Sequence, residues 1–502
     1  MDNGFYNQLS TNGTKAQILS SICTVSKWTR SNNRYSSFPA WTFTFPELIV
    51  EPVANPSNFT ATNVTTYSAQ VSFSPAAGSP AGYIVLMSQN NPINSLPVDG
   101  TSYTVGQNIG NSKVIGIGTT TSYNIKSLRA QRTYHFAVLA YTNSGSINYR
   151  QSDPLLSSFV TPTTMAGNYY NSMVDTAATF IDDLKNRIRN PYINTDYSLY
   201  DENLVAEFEA TDTINGQKTI QCVYSGFRYN YTPPFVWYTS SPFSREHTWA
   251  VSWMPSGGTT SSNEYEDYHN LFTVVQNEAN AVRSNHPFGD VVNPTSVYLD
   301  GQLGFNALGE RVYEPRDDQK GNVARALFYM ALRYDDINGH DWSFDFLNNA
   351  DLIPAGISPQ SVELLLQWHQ QDAPDSYDVA RNDYIQSKQG NRNPFIDNPD
   401  WANRIDFYTL TLKNTKSHFE ASSLDKTPQA MVYPNPTNHY LNVIFGDEYS
   451  YRIFDLTGKE ILRGQHIGSE IAAIDVSELS RGTYILVLED HNELVYNRFV
   501  RE

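Results

Sequence analysis

The sequence predicts a multidomain α+β protein: a β-sandwich, then a mostly helical domain, then a small antiparallel β-sandwich. Two observations carry this. At 502 residues the chain is too long for one core, since single domains run roughly 100–200 residues. The hydrophobic period also changes twice. Short alternating runs between Gly, Pro, Asn and Ser turns give way to long stretches of helical spacing, and short alternating runs return near the end.

Composition narrows the class. Charged residues make up 17% of the chain, below the usual quarter or so, while 33 tyrosines and many Asn, Ser and Thr suit an extracellular, β-rich surface. A hydrophobic content of 40% argues against global disorder. No apolar run approaches the length of a membrane-spanning helix. With 51 Asp and Glu against 34 Lys and Arg the formal charge is −17, and a surface of that sign should repel phosphate, so the first expectation excludes a nucleic-acid partner. The two cysteines, Cys23 and Cys222, are too few for a disulfide framework or a Cys-x-x-Cys metal site; one bridge and two unpaired thiols both remain open. Met1 to Tyr6 lacks the basic and apolar regions of a secretory signal. The expectation is that the protein stays inside or that the chain starts downstream of its true beginning.

Residues 1–50 are unassigned beyond a short helical stretch, Ala16 to Val25. Residues 51–163 form the first sandwich, with strands expected at Ser68 to Ser74, Tyr83 to Met87 and Thr133 to Tyr141. The alternation from Thr133 to Leu139, with Tyr134 in the place of a corner tyrosine after Leu128, resembles a fibronectin type III domain. Phe73 stands where that family usually has Trp. Residues 164–420 are expected to be mostly helical, with helices over Phe180 to Ile188, Leu271 to Arg283, Asn322 to Tyr334 and Ser361 to Gln370. Residues 428–502 return to strands. Tyr433-Pro434-Asn435-Pro436-Thr437, Asp455-Leu456-Thr457-Gly458-Lys459 and Leu479-Ser480-Arg481-Gly482-Thr483-Tyr484 carry hairpin signals. In this order the string resembles the C-terminal sorting domain of type IX secretion. That resemblance implies export across both membranes of a Gram-negative cell, to the medium or the cell surface, with the type IX machinery as a partner.

One constellation in the helical domain carries chemistry. Arg245-Glu246-His247 is followed by Asp267-Tyr268-His269-Asn270-Leu271 and then by Asn280-Ala281-Val282-Arg283-Ser284-Asn285. A carboxylate beside an imidazole, then amides and an arginine, are the parts a phosphodiester hydrolase needs: hard oxygens for a divalent cation, a neutral His to take a proton from water, and guanidinium for phosphate. On a helix starting at Leu271, the residues Val274, Val275, Glu278, Ala279 and Val282 share one side and Asn280 falls opposite, free to face a cleft. Glu246 and His247 are adjacent, so on a regular strand they point to opposite faces. Both serve one site only where the strand ends.

The Glu-His-x-x-x-x-x-Trp, Asp-x-His-Asn-Leu and Asn-x-x-Arg-Ser-Asn-x-x-Phe-Gly strings together resemble the bacterial endonuclease I family. The resemblance continues through Lys320 to Arg325, Leu366 to His369 and Gln389 to Asp397. It implies a ββα-metal (His-Me finger) site with His247 as general base and Glu246 and Asn280 holding one Mg²⁺, with Mn²⁺ or Ca²⁺ as alternatives. It further implies Arg283, Arg325 and Arg392 as phosphate contacts, unless they are internal ion-pair partners. His269 and Asn270 would support the hairpin and the helix start. Two departures stand out. Asn322 occupies a position more often Asp, and Ser256 to Ser262 has no arginine where some relatives carry a phosphate-stabilising one.

The resulting expectation is a secreted, monomeric, Mg²⁺-dependent, sequence-nonspecific endonuclease of DNA or RNA, leaving 5′-phosphate ends and losing activity on acidification as a His of pKa about 6.5 is protonated. The fibronectin-like sandwich would be a spacer or weak binding module. The alternative is an inactive surface adhesin or polysaccharide-binding protein on a nuclease scaffold. By region the formal charge is +2 for 1–50, +2 for 51–163, −16 for 164–426 and −5 for the tail. The acidity sits in the domain read as cutting nucleic acid, so Arg283, Arg325 and Arg392 are expected to group around the metal with the surplus acid on other faces.

Overall fold

A computed structural model describes residues 50–144, 146–237, 241–350, 352–353, 359–413, 430–445, 448–467, 472–490 and 493–501. The stretch Ala16 to Val25 and Cys23 lie outside the described residues. No helix among the described residues is long and apolar enough to cross a membrane.

The chain is a multidomain α+β protein. The first part is a sandwich of β1 (Ser57–Thr62), β2 (Ala69–Ser74), β3 (Gly82–Gln89), β4 (Asn108–Ile109), β5 (Ser112–Gly118), β6 (Ser122–Ile125), β7 (Thr133–Ser144), β8 (Ser146–Tyr149) and β9 (Leu155–Val160). One sheet runs β1-β2-β6; the other runs β4-β5-β3-β7-β8 with β9 also on β7. In β2 every second residue is buried, which turns Ala69, Val71 and Phe73 inward. They meet Tyr83, Val85, Phe136 and Val138 from the facing sheet. Tyr134 is buried, and its hydroxyl accepts the Arg129 N–H at 2.8 Å, closing the corner anticipated from its position.

The middle part is built on α1 (Phe180–Arg189), α2 (Asp317–Tyr334), α3 (Val362–Gln371) and α4 (Ser376–Gln389). α2 is buried on nearly every face and so forms the central helix of this core. Ser361 caps α3 through the Leu364 N–H. α4, absent from the sequence reading, begins at a full capping box between Asp375 and Asp378. Short antiparallel sheets lie among the helices, more of them than the sequence suggested.

One expected helix is corrected. Leu271 to Arg283 is not continuous: β11 (Leu271–Val275) is a strand, paired antiparallel with β10 (Phe243–His247), and the chain turns helical only over Gln276 to Arg283. Phe272, Thr273, Val274 and Val275 favour the pleat, and burial on both faces erases the alternation that would have marked it. The helical part opens with a widened turn, in which the Ala281 N–H reaches the Gln276 carbonyl five residues back.

At the C-terminus Met431–Tyr433, Tyr440–Ile444 and Ala472–Asp475 form one sheet, and Glu460–Ile467, Glu448–Asp455, Gly482–Asp490 and Glu493–Arg501 the other. Leu441, Ile453, Leu486 and Phe499 are among the residues packed between them.

The first sandwich is docked on the middle domain. Thr66 Oγ1 donates to Asp383 Oδ2 at 2.6 Å, Ser127 Oγ donates to the Ala210 carbonyl, and the Ala130 N–H donates to the Ser376 carbonyl. The Arg129 guanidinium lies over Tyr377 and Phe208, and Tyr67 meets Tyr384 edge to face. A cavity of about 250 Å³ opens along this seam between Gln70, Lys126, Glu207 and Tyr384.

Candidate active site

β10, β11 and the helical turn after them bring the sequence motif into one ββα unit. Ser244 and Glu246 share one face of β10; Arg245 and His247 share the other. His247 is the last residue of the strand, where the pleat ends, as the adjacency of Glu246 and His247 requires.

The imidazole of His247 is held from three sides. Its ring stacks on Tyr197 at 5.4 Å and leans on Tyr265 at 4.5 Å. Nε2 lies 2.8 Å from the Tyr265 carbonyl oxygen. A carbonyl only accepts, so Nε2 carries the proton and the lone pair of the neutral ring sits on Nδ1. Burial pushes the ring down to about 4, against the opposing pull of the Tyr265 hydrogen bond. The value lies below the expected 6.5, so the imidazole stays neutral well into the acid range.

Glu246 is buried, which raises its carboxyl above the usual range, while the guanidinium of Arg283 pulls it back. Arg283 Nη1 donates to Glu246 Oε1 at 2.5 Å and to the His247 carbonyl at 2.9 Å, and Nη2 donates to the Thr248 carbonyl at 2.8 Å. The Tyr224 hydroxyl also reaches Oε1, at 3.3 Å. Among the described residues the partners of Glu246 all take Oε1, so Oε2 is the oxygen left for a cation. Asn280 lies alongside the same strand face: its Nδ2 donates to Ser244 Oγ at 3.0 Å, which turns Oδ1 away from that bond.

Two hard oxygens, Glu246 Oε2 and Asn280 Oδ1, fit a divalent ion that keeps several waters. No cluster of three or more His, Cys, Asp or Glu able to hold a metal occurs among the described residues, so a richer cage than this pair is not on offer there.

Residues 176–400 match the family model for Endonuclease I. Residues 431–502 match the secretion system C-terminal sorting domain and residues 54–155 the fibronectin type III domain. The chain is similar to an extracellular ribonuclease of Bacillus subtilis (strain 168), 38% identical over 172 residues, which is 32% of this chain and 54% of that protein. It is also similar to an extracellular deoxyribonuclease of Aeromonas hydrophila, 30% identical over 142 residues, 28% of this chain and 54% of the relative. The chain thus spans about half the length of the curated relatives it matches.

The region that matches the Endonuclease I model also holds Asn270 and His269. Asn270 Oδ1 accepts the Trp249 N–H at 2.7 Å and its Nδ2 donates to the Trp249 carbonyl at 3.1 Å, tying the chain just past His247 to the start of β11. His269 is buried against Tyr329, with Nε2 3.5 Å from the Asn391 carbonyl, and burial holds it down at about 3. Beside it Asp267 gathers Tyr329, Tyr334, Arg333 and Gln389.

The arginines expected to contact phosphate are internal ion-pair partners in this structure, the alternative the sequence left open. Arg283 and Arg325 are 1% exposed and Arg392 is fully enclosed. Arg283 pairs with Glu246, Arg325 with Asp378 at 3.2 Å, and Arg392 with Asp383 at 2.5 Å and Asp397 at 2.6 Å. Only Arg283 stands at the site, and it faces inward. The expected grouping of three arginines around the metal is corrected accordingly. Desolvating a guanidinium is tolerated beside a carboxylate, and each of the three has one, while Arg325 Nε is buried without a hydrogen-bond partner. Asn322, at the position more often Asp, accepts from Arg325 at 3.0 Å.

Tyr197, Tyr265, Tyr224 and Ser244 are site residues that the sequence reading missed. Ser244 and Tyr265 lie close to the motif strings and alternation places Ser244 beside Glu246; Tyr197 sits in a short turn far upstream with no local signal.

Proposed function

We propose that this chain is an exported, metal-dependent, sequence-nonspecific endonuclease that hydrolyses the phosphodiester bonds of nucleic acid. One observation carries the reading: Glu246, His247 and Asn280 stand on a ββα unit, with the imidazole fixed in the tautomer that leaves Nδ1 as a base. The similarity to extracellular nucleases and the C-terminal sorting match support it.

In the proposed reaction His247 Nδ1 takes a proton from a water aligned behind the phosphorus, and that water displaces the 3′ oxygen, leaving a 5′-phosphate end. Tyr197 and Tyr265 keep the ring in place for that transfer. Glu246 and Asn280 would hold a Mg²⁺, which supplies Lewis-acid stabilisation of the charge developing on phosphate. Arg283 orients Glu246 and pins the His247 and Thr248 carbonyls. Relatives named for ribonuclease and for deoxyribonuclease activity leave both substrates in play, with DNA the primary proposal.

Purified protein incubated with supercoiled plasmid and Mg²⁺ is expected to nick it, and EDTA and His247→Ala are each expected to abolish nicking. Nicking that survives either change overturns the mechanism.

A further inference from the structure

With Arg283, Arg325 and Arg392 each spent on a buried carboxylate, and no arginine in the loop Ser256 to Ser262, the proposed site lacks an evident positive contact for the nucleic-acid backbone. A phosphodiester carries a full negative charge, and nuclease affinity for it rests largely on cations that face solvent.

Arg245 meets the requirement. It lies two residues before His247 on the same face of β10, so the two side chains leave the strand about 6.6 Å apart. Its guanidinium stacks on Tyr197 at 4.0 Å and on Trp237 at 4.9 Å, and Tyr197 is the ring on which His247 also stacks. Nη1 donates to the Tyr197 carbonyl at 2.7 Å. Among the described residues no carboxylate lies within ion-pair distance of it, and the side chain is only partly buried. A guanidinium held flat on aromatic rings is oriented before any ligand arrives, and its fork suits phosphate oxygens. Its charge reaches His247, where it helps to keep the proton off the imidazole.

We infer that Arg245 is the phosphate-binding arginine of this site, contacting a backbone phosphate next to the one cleaved, with Tyr197 as the shared platform of arginine and base. This rests on the nuclease reading above.

The test uses the full chain and a fluorescein-labelled DNA duplex, with binding followed by anisotropy in EDTA from 20 to 150 mM KCl. Arg245→Gln is expected to weaken binding about tenfold at the lowest salt and to flatten the slope of log K against log salt by about 0.9. Arg245→Lys should keep most of the slope. Arg498→Gln, the same change of charge on the C-terminal sandwich, should leave affinity and slope unaltered. With Mg²⁺ present, Arg245→Gln should raise KM more than it lowers kcat. If wild type binds and nicks but Arg245→Gln keeps its slope and loses only kcat, Arg245 merely supports Tyr197 and the inference is overturned. If wild type neither binds nor nicks, the nuclease reading itself fails.

Discussion

Arg283 shows how far a residue's role can lie from its type. In the sequence it is a positive charge among Asn280, Ser284 and Asn285; in the fold it is enclosed between Trp253 and Phe288 with Glu246 on its fork. Removing one partner of such a pair strands a charge in a dry site, which costs about 3–5 kcal/mol. Arg283→Met should therefore lower the unfolding free energy by that order in urea titration, and Glu246→Gln, which leaves the Arg283 cation facing only a neutral amide, should cost a comparable amount while removing the proposed metal ligand. Equal and small losses from both would mean that the pair is solvated. The same blindness applies to Arg325 and Arg392. Their partners Asp378, Asp383 and Asp397 are ordinary acids in the sequence, and only the fold brings them into contact. The motif residues themselves were legible because their spacing along the chain is the signal.

His369 makes a second prediction at this scale. Its Nε2 contacts the Pro399 carbonyl at 2.9 Å, Nδ1 is buried without a partner, and burial holds the ring down at about 4. Between that value and the ordinary 6.5 the unfolded chain takes up a proton that the folded ring refuses, so stability rises with pH. The contribution is complete above pH 6.5 and is lost as pH falls through the window, up to about 3 kcal/mol. His269, at about 3, acts in the same direction. Asp372 opposes them: burial lifts it to about 6, so the stability linked to its proton is present at low pH and lost as pH rises through 6. His369→Phe should flatten the fall in Tm between pH 7 and pH 4.5. An unchanged slope would show that the ring titrates normally.

At the scale of elements, the hairpin β10–β11 is the part on which the site depends, and β11 is the part the sequence concealed. Strands with one wet face announce themselves by alternation, as β2 does; β11 is buried on both faces, so only its β-branched content spoke against a helix. α2 and α3 were legible because each keeps a continuous apolar stripe. The crossing between β10 and β11 is held by Asn270, whose side chain serves both backbone groups of Trp249. Asn270→Ala leaves a buried N–H and a buried carbonyl without that partner, a loss of about 1–3 kcal/mol for each group left unsatisfied. The expected outcome is a fall of at least about 2 kcal/mol in unfolding free energy, with faster amide exchange at Trp249. Exchange at Trp249 as slow as in wild type would place the hairpin's support elsewhere.

At the scale of the whole molecule, the region 164–426 carries −16, and because its buried arginines each cancel a carboxylate inside the core, the surplus acid outside is not relieved by them. Under the proposed function, substrate contact therefore falls to the few cations left outside. The fibronectin-like sandwich, expected as a spacer or weak binding module, is packed against the region that matches the Endonuclease I model. Asp383 is the joint: it pairs with Arg392 inside that region and accepts Thr66 from the sandwich and the Met165 N–H from the connecting segment. An interface that completes a buried ion pair couples the stability of its two sides, because undocking would leave the Asp383 carboxylate short of a partner. The two parts should therefore unfold in one calorimetric transition. Thr66→Val combined with Arg129→Ala, which removes the buried hydrogen bond and the cation over Tyr377, should split that transition or lower its midpoint by several degrees. A wild-type chain that already melts in two well-separated steps, with the double variant unchanged, would return the sandwich to the role of a spacer.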